Sequence, residues 1–86
     1  MPLRLFLVTP QKRVMDTEVE SVLCPGSEGE FGVLPGHEPL LAPLAEGRLE
    51  WTERGARRSV QIGGGFAEVT QERVVILADS AEAPES

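Results

Sequence analysis

The sequence predicts an all-β domain, built as a β-sandwich or flattened barrel. Nine glycines and seven prolines divide its 86 residues into short pieces, and no piece sustains the 3.6-residue period of a helix. Apolar residues instead recur at every second position between turn residues, which is the pattern of strands with one buried face. Eight to ten such strands at close spacing are typical of sandwiches and barrels.

The first half of the chain predicts short strands with frequent interruptions. Residues 3–8 place three leucines on one face, while Phe6 and Val8 make the other face partly apolar, so that a partner or a second layer could cover it. A short strand follows over residues 13–16. Residues 18–23 form another strand, in which broken alternation indicates a bulge.

Proline and glycine bound the next two strands. Residues 31–34 predict a short apolar strand that ends before Pro35. Residues 40–44 are apolar but divided by Pro43, which predicts a strand that lies at an edge or an end of the sheet.

The second half of the chain carries the clearest strand signal. A hairpin is predicted over residues 48–62, with its turn at 53–56. The three glycines at 63–65 are expected either to break the sheet or to mark a position where the backbone bends or approaches another segment closely. A second hairpin follows over residues 66–78, and residues 74–78 are apolar on both faces, which predicts a central strand.

Composition indicates one domain, expected over residues 1–80, followed by a flexible acidic tail at 81–86. A net charge of −6 disfavours nucleic acid and anionic lipid headgroups as partners. No signal peptide is evident and no run approaches the ~20 apolar residues that span a bilayer. Membrane association is therefore expected only through a partner, and a single cysteine fits a reducing compartment such as the cytosol.

The residues offer little catalytic or ligand-binding chemistry. Cys24 and His37 could form a nucleophilic pair, but no third residue orients them, and the apolar surroundings favour a buried structural thiol. One histidine and one cysteine do not make a metal site. Glu28 and Glu30, about 7 Å apart in an extended chain, form either a solvated loop or a docking tip for a basic partner. No cofactor, metal, small-molecule ligand or enzymatic activity is predicted.

Two stretches carry a family resemblance. The first reads Ser27-Glu28-Gly29-Glu30-Phe31-Gly32-Val33-Leu34-Pro35-Gly36-His37-Glu38-Pro39-Leu40-Leu41, and it resembles the signature of the epsilon subunit of F-type ATP synthases. The second, Gly64-Gly65-Phe66-Ala67-Glu68-Val69 with residues 74–82 after it, agrees with that family in order and separation. The likeness covers residues 3–82.

The resemblance implies a fold and a role. The family's N-terminal domain is a ten-stranded β-sandwich of two antiparallel sheets. It is a non-catalytic part of the central stalk, the rotor, where it docks on the gamma subunit and the membrane c-ring. The rotor couples ion translocation to ATP synthesis or hydrolysis, as a peripheral complex on the cytoplasmic side of the bacterial inner membrane.

The resemblance also implies site residues. Glu30 is the first candidate for a c-ring contact, because family c-ring loops carry a basic residue; the full set is Glu28, Gly29, Glu30 and Phe31. Thr9 and His37 are expected near gamma, although the residues alone favour His37 as a turn histidine bonded to its own loop. Leu40 and Leu41 support either the gamma face or the core.

The sequence also departs from the family. Glu38 stands where alanine is usual and Gly63 where serine is usual. The family's two C-terminal helices, which restrain ATP hydrolysis, have no counterpart in these 86 residues, so a naturally short form is expected. The alternative function is a free-standing β-sandwich adaptor or ligand-binding module, and a small hydrolase that uses Cys24 or the glutamate pair is a third.

Overall fold

The computed structural model describes residues 2–82, which form seven strands in one mixed sheet. The sheet order is β2-β1-β7-β6-β5-β3-β4; β1 and β7 are parallel and every other pair is antiparallel. Residues 2–82 contain no helix that is long and apolar enough to cross a membrane. The strands are β1 (Leu3–Val8), β2 (Arg13–Val19), β3 (Ser21–Cys24), β4 (Phe31–Val33), β5 (Leu40–Glu53), β6 (Ala56–Val69) and β7 (Arg73–Ala78).

The long strands β5 and β6 bend, so that one continuous sheet folds into two layers. The first layer contains β2, β1 and β7 with residues 65–69 of β6 and 40–44 of β5; the second contains β3 and β4 with the other halves of β5 and β6. Gly64 and Gly65 lie at the bend with φ of +98° and +134°, which residues with a side chain rarely adopt. A Cβ at Gly65 would also overlap the Leu77 carbonyl oxygen. The triple glycine therefore bends the sheet and does not break it.

The two layers bury one contiguous apolar core. Leu3, Leu5 and Leu7 are each fully buried, as the alternation of β1 predicts. Trp51 reaches the core from β5 and is only 2% exposed. The other members are Val19, Val22, Cys24, Val33, Leu44, Leu49, Val60, Ile62, Ala67, Val69, Val74, Ile76 and Ala78.

The structure confirms an all-β, sandwich-like fold, but it differs from ten strands in two antiparallel sheets. The strand expected over residues 40–44 continues past Pro43 to Glu53 as part of β5, and β6 continues through the triple glycine. Pro43 is tolerated because its carbonyl faces away from β6 and accepts a hydrogen bond from the Ser27 N–H at 3.0 Å, so the missing N–H removes no bond to β6. Residues 40–44 lie at an edge as expected, since β3 pairs with β5 only at residues 50–52 and the isolated bridge between Gly26 and Leu44 is the pairing found on that side within residues 2–82.

The bulge predicted within residues 18–23 is wrong. The chain turns a corner at Glu20 instead, where the Glu20 N–H donates to the Thr52 carbonyl at 2.8 Å, and β2 ends as β3 begins. The register shift lies between Leu7 and Val8, in the pairing of β1 with β2. The broken alternation therefore marks a change of strand, which sequence periodicity does not distinguish from a bulge.

Both predicted hairpins are confirmed. The β5–β6 hairpin turns through Arg54 and Gly55, which both have positive φ, 53° and 77°, as a two-residue type I′ turn requires. The β6–β7 hairpin leads into a central β7, as its apolar faces predict. At the end of the described chain, Ala81 bridges to Ile62. The remainder of the expected tail, residues 83–86, lies outside the described residues.

Candidate docking surfaces

The outward side of the first layer carries a continuous group of apolar side chains. Strand register aligns Val8, Leu77, Phe66 and Pro43 in one row across β1, β7, β6 and β5. The neighbouring row holds Phe6, Val75, Glu68 and Leu41. We call the seven apolar residues of these rows the outer apolar face: Phe6, Val8, Leu41, Pro43, Phe66, Val75 and Leu77.

Several members of the outer apolar face are strongly exposed. Leu41 is 69% exposed, Phe66 51% and Leu77 48%. Alternation within β7 sends Val74 and Ile76 into the core, so the intervening Val75 and Leu77 face outward. Contiguous exposed apolar patches are uncommon on monomeric soluble proteins and mark interaction sites. This geometry makes the outer apolar face a candidate docking surface.

Charged side chains border the outer apolar face on the β1–β2 side, and they are paired with one another. Arg4 Nε lies 2.7 Å from Asp16 Oδ1, and Arg13 lies 3.6 Å from the same carboxylate. The Arg13 guanidinium also lies 6.0 Å from the centre of the Phe6 ring. This border is therefore polar, with two guanidinium groups around one carboxylate, like the rim of an interface.

Thr9 and His37 flank the outer apolar face at opposite ends. Thr9 follows Val8 and is only 9% exposed; its hydroxyl donates to the Lys12 carbonyl at 3.3 Å. The loop that carries His37 lies at the other end, where the Gly36 N–H donates to the Gln71 carbonyl at 2.8 Å. Thr9 therefore shapes its turn, and His37 is the more accessible of the two.

The structure separates the two leucines that sequence reasoning treated together. Leu41 pairs with Glu68 and faces outward, whereas Leu40 pairs with the buried Val69 and is 38% exposed at the start of β5. Leu41 therefore belongs to the outer apolar face, and Leu40 borders the core.

The His37 ring is held by its own loop. Its Nδ1 lies 2.7 Å from the Glu38 carbonyl oxygen, so this nitrogen donates the hydrogen bond.

An exposed acidic loop, residues 27–30, lies beside the free edge of β5. The Gly29 N–H donates to the Gly26 carbonyl at 3.1 Å, and Gly29 has a φ of +126°. The loop is therefore a turn, and the extended geometry expected for Glu28 and Glu30 is wrong. Both carboxylates are exposed. Phe31, which follows, is partly buried against the core.

The acidic loop is attached to the edge of the first layer. The Ser27 N–H bond to the Pro43 carbonyl and the bridge between Gly26 and Leu44 hold it there. A Cβ at Gly26 would lie 2.5 Å from the Gly29 carbonyl oxygen, so this tight turn requires glycine. Two candidate surfaces, one acidic and one apolar, therefore adjoin at Pro43.

Cys24 and His37 do not form a nucleophilic pair. Cys24 is fully buried, and burial raises the pKa of its thiol from 9.0 to about 12. His37 lies on a partly exposed loop and bonds to that loop. A thiol that stays protonated near neutral pH is a poor nucleophile. Within residues 2–82, no three side chains of metal-binding type gather as ligands.

Cys24 is expected to be inert towards thiol reagents while the chain is folded. At pH 8 a chromogenic disulfide should react fully only in denaturant, whereas a Glu28→Cys variant should gain one fast-reacting thiol in the native state. Because folding raises the pKa of the Cys24 thiol, ionisation of this thiol should lower the free energy of unfolding only as the pH rises from about 9 to about 12. Fast labelling of the native, unsubstituted chain would contradict this burial.

A separate open groove of about 340 Å³ crosses the outer side of the second layer. Gly32 leaves space opposite Leu23, and Leu34, 63% exposed, borders that space. Its volume is at the lower end of the range of small-molecule pockets.

Sequence reasoning missed most of the outer apolar face. It noted Phe6 and Val8 on an outward side and the two-sided apolarity of residues 74–78, but it did not place Phe66 or Leu77 in a site. The signal was present, because outward positions of β1 and β7 are apolar in succession. What was missing is the parallel pairing of β1 with β7, which joins residues about seventy positions apart.

The described residues thus form an all-β, sandwich-like domain with an exposed apolar sheet face and an adjoining acidic loop. The family model described as "ATP synthase, Delta/Epsilon chain, beta-sandwich domain" matches residues 2–84. The chain therefore belongs to this family, as the motif at residues 27–41 implies.

Individual relatives agree with this assignment. The chain is 47% identical over 83 residues to the ATP synthase epsilon chain of Anaeromyxobacter sp. (strain K), covering 96% of this chain and 63% of that one. It is 49% identical over 83 residues to the epsilon chain of Nitratidesulfovibrio vulgaris (strain DP4), covering 96% and 62%. The chain thus spans less than two thirds of the length of these relatives.

A solved structure gives the same result for the fold. The chain is similar to a chain in the cryo-EM structure of the Euglena gracilis mitochondrial ATP synthase, OSCP/F1/c-ring in rotational state 1. The TM-score is 0.88 at 32% identity, and the match covers 96% of this chain and 53% of that one.

Proposed function

We propose that the chain is a central-stalk subunit of an F-type ATP synthase, a rotor part that couples ion translocation to ATP synthesis or hydrolysis. The observation that carries the proposal is the outer apolar face, an exposed sheet surface on a domain of the epsilon family. In this role the chain is non-catalytic, and it works as a peripheral component on the cytoplasmic side of a bacterial inner membrane.

The outer apolar face is the surface proposed to dock on the gamma subunit. Leu41, Phe66 and Leu77 offer large apolar side chains whose burial drives association. The charged pairs around Asp16 form a polar rim. His37 borders this surface at one end, Leu40 supports it from the start of β5, and Thr9 fixes the turn at the other end.

The acidic loop is proposed to touch the c-ring. Glu28 and Glu30 are exposed, and neither is in an ion pair among residues 2–82. Carboxylates in this position attract the basic residue that family c-ring loops carry. Such charge pairs set the register of the two surfaces and the rate of their association. Gly29 gives the turn its shape, and Phe31 anchors the loop to the core.

A rotor part must transmit torque without yielding. The continuous bent strands β5 and β6 join both layers over 14 residues each, so no hinge separates the acidic loop from the outer apolar face. Close-packed interiors deform little under load. The fold thus supports two neighbouring contacts on one stiff body.

Purification with the gamma subunit tests the proposal. The chain, co-expressed with the gamma subunit of the same ATP synthase, should elute with it as a one-to-one complex on size exclusion. Its addition to membranes that hold the c-ring but lack this subunit should restore ATP-driven ion pumping. Elution of both proteins apart, together with no gain in pumping, would contradict the proposed function.

Glu30→Lys should weaken attachment to the c-ring by about tenfold while the fold is unchanged, because it brings a like charge to the basic loop. Binding to c-ring membranes and ATP-driven ion pumping measure the effect. Glu72→Lys, which changes another exposed carboxylate on the β6–β7 turn, is the control and should leave binding to c-ring membranes unchanged. Normal assembly and coupling of the Glu30→Lys variant would make the contact assignment wrong.

A further inference from the structure

One charged residue lies inside the outer apolar face. Glu68 stands between Val75 of β7 and Leu41 of β5 in the same row, and Phe66 lies two residues away on its own strand. All three neighbours are apolar and face outward with it. Alternation along β6 requires this placement, because Ala67 and Val69 on either side are buried.

Glu68 differs from the acidic residues of β2 that share this side of the sheet, Asp16 and Glu18, because those two lie at the border of the outer apolar face and not within it. Asp16 is neutralised by Arg4 and Arg13. The four ion pairs found among residues 2–82 use the carboxylates of Asp16, Glu50 and Glu53, and none of them involves Glu68. Arg73 is diagonal to Glu68 on β7, but its guanidinium does not lie within 4.0 Å of the carboxylate. Water is therefore what solvates Glu68 in the isolated chain.

A partner that covers the outer apolar face must remove that water. A carboxylate buried against an apolar surface without a counter-charge strongly opposes association, whereas a hydrogen-bonded cation offsets the lost hydration. An arginine suits this position best, because its planar guanidinium binds both carboxylate oxygens. Among residues 2–82 no cation pairs with Glu68 in the isolated chain, so a cation from the partner would complete the pair.

We propose that the surface that docks on the outer apolar face presents one basic side chain, arginine or lysine, to Glu68, and that this ion pair sets the docking orientation. The inference rests on the proposed function, in which that surface belongs to the gamma subunit. Apolar contacts alone permit several sliding orientations on a flat sheet face. A single ion pair among these apolar contacts permits only one docking orientation, because every other orientation leaves both charges buried and unpaired.

Affinity measurements with purified gamma subunit test this directly. Glu68→Lys should raise the Kd by about 30-fold or more, and Glu68→Gln by about tenfold with a weaker dependence on salt. Glu46→Lys changes an exposed carboxylate beyond the outer apolar face, at the bend of β5, and should stay within about threefold of the unsubstituted chain. Circular dichroism and urea unfolding should be unchanged for all three variants, since the side chains of Glu68 and Glu46 are both exposed.

A charge-reversal scan identifies the partner residue. Each exposed arginine or lysine of gamma is changed to glutamate and paired with Glu68→Lys; one such change should restore affinity while it weakens binding of the unsubstituted chain. The inference is overturned if Leu77→Asp prevents binding to gamma but Glu68→Lys does not weaken it. It is also overturned if no charge reversal in gamma restores the affinity of the Glu68→Lys variant. In both cases the outer apolar face remains the proposed docking surface. If the unsubstituted chain does not bind gamma, the proposed function itself fails.

Discussion

Leu77→Asp is expected to weaken binding to the gamma subunit by on the order of 100-fold or more. The substitution removes a large apolar side chain from the middle of the outer apolar face and adds a carboxylate that docking would bury. Loss of leucine burial costs about 1.5–3 kcal/mol, and a buried unpaired carboxylate adds to that cost. Isothermal titration calorimetry measures the change.

The fold should tolerate the Leu77→Asp change. Leu77 is 48% exposed, so the free energy of unfolding should fall by no more than about 1 kcal/mol. Leu34→Asp is the matched control, because Leu34 is 63% exposed but borders the groove of the second layer. An unchanged Kd for the Leu77 variant, or an equal loss for the Leu34 variant, would remove the outer apolar face as the docking surface.

Trp51→Ala should lower the free energy of unfolding by roughly 3–5 kcal/mol. The indole is 2% exposed and fills the core between the layers, and its Nε1–H donates to Glu53 Oε1 at 3.2 Å. A domain of this size has a total stability of only several kcal/mol. The variant is thus expected to be close to unfolding at room temperature, with a urea midpoint shifted sharply downward.

An exposed aromatic residue provides the comparison for Trp51. Phe66 is 51% exposed on the outer apolar face, so Phe66→Ala should cost less than about 1 kcal/mol of stability while it weakens binding to gamma. The two substitutions therefore separate folding from docking. A stability loss below about 1 kcal/mol for Trp51→Ala would mean that the indole does not contribute to the core.

Sequence alone predicts much of the fold because alternation is local. The leucines of β1 and the alternation around Trp51 define buried faces without knowledge of any partner strand. The triple glycine predicts either a break or a bend, because a glycine run permits both. Which one forms depends on whether β5 pairs with both sides of it, and that is a non-local fact.

The two candidate docking surfaces also differ in how far the sequence predicts them. The acidic loop was found from a contiguous motif, and only its turn geometry was missed, since that depends on the Gly29 conformation and the bond to Pro43. The outer apolar face is assembled from four strands distant in sequence. Residues such as Phe66 and Leu77 become neighbours only through register. No local pattern encodes that register, so the central residues of the face were not predicted.

Photo-cross-linking in the assembled ATP synthase tests the docking account most directly. A photoreactive amino acid at position 77, within the outer apolar face, should form cross-links to the gamma subunit. The same amino acid at position 61, an exposed site on the outer side of the second layer, should form none. Cross-links to gamma from position 61 and none from position 77 would contradict the account.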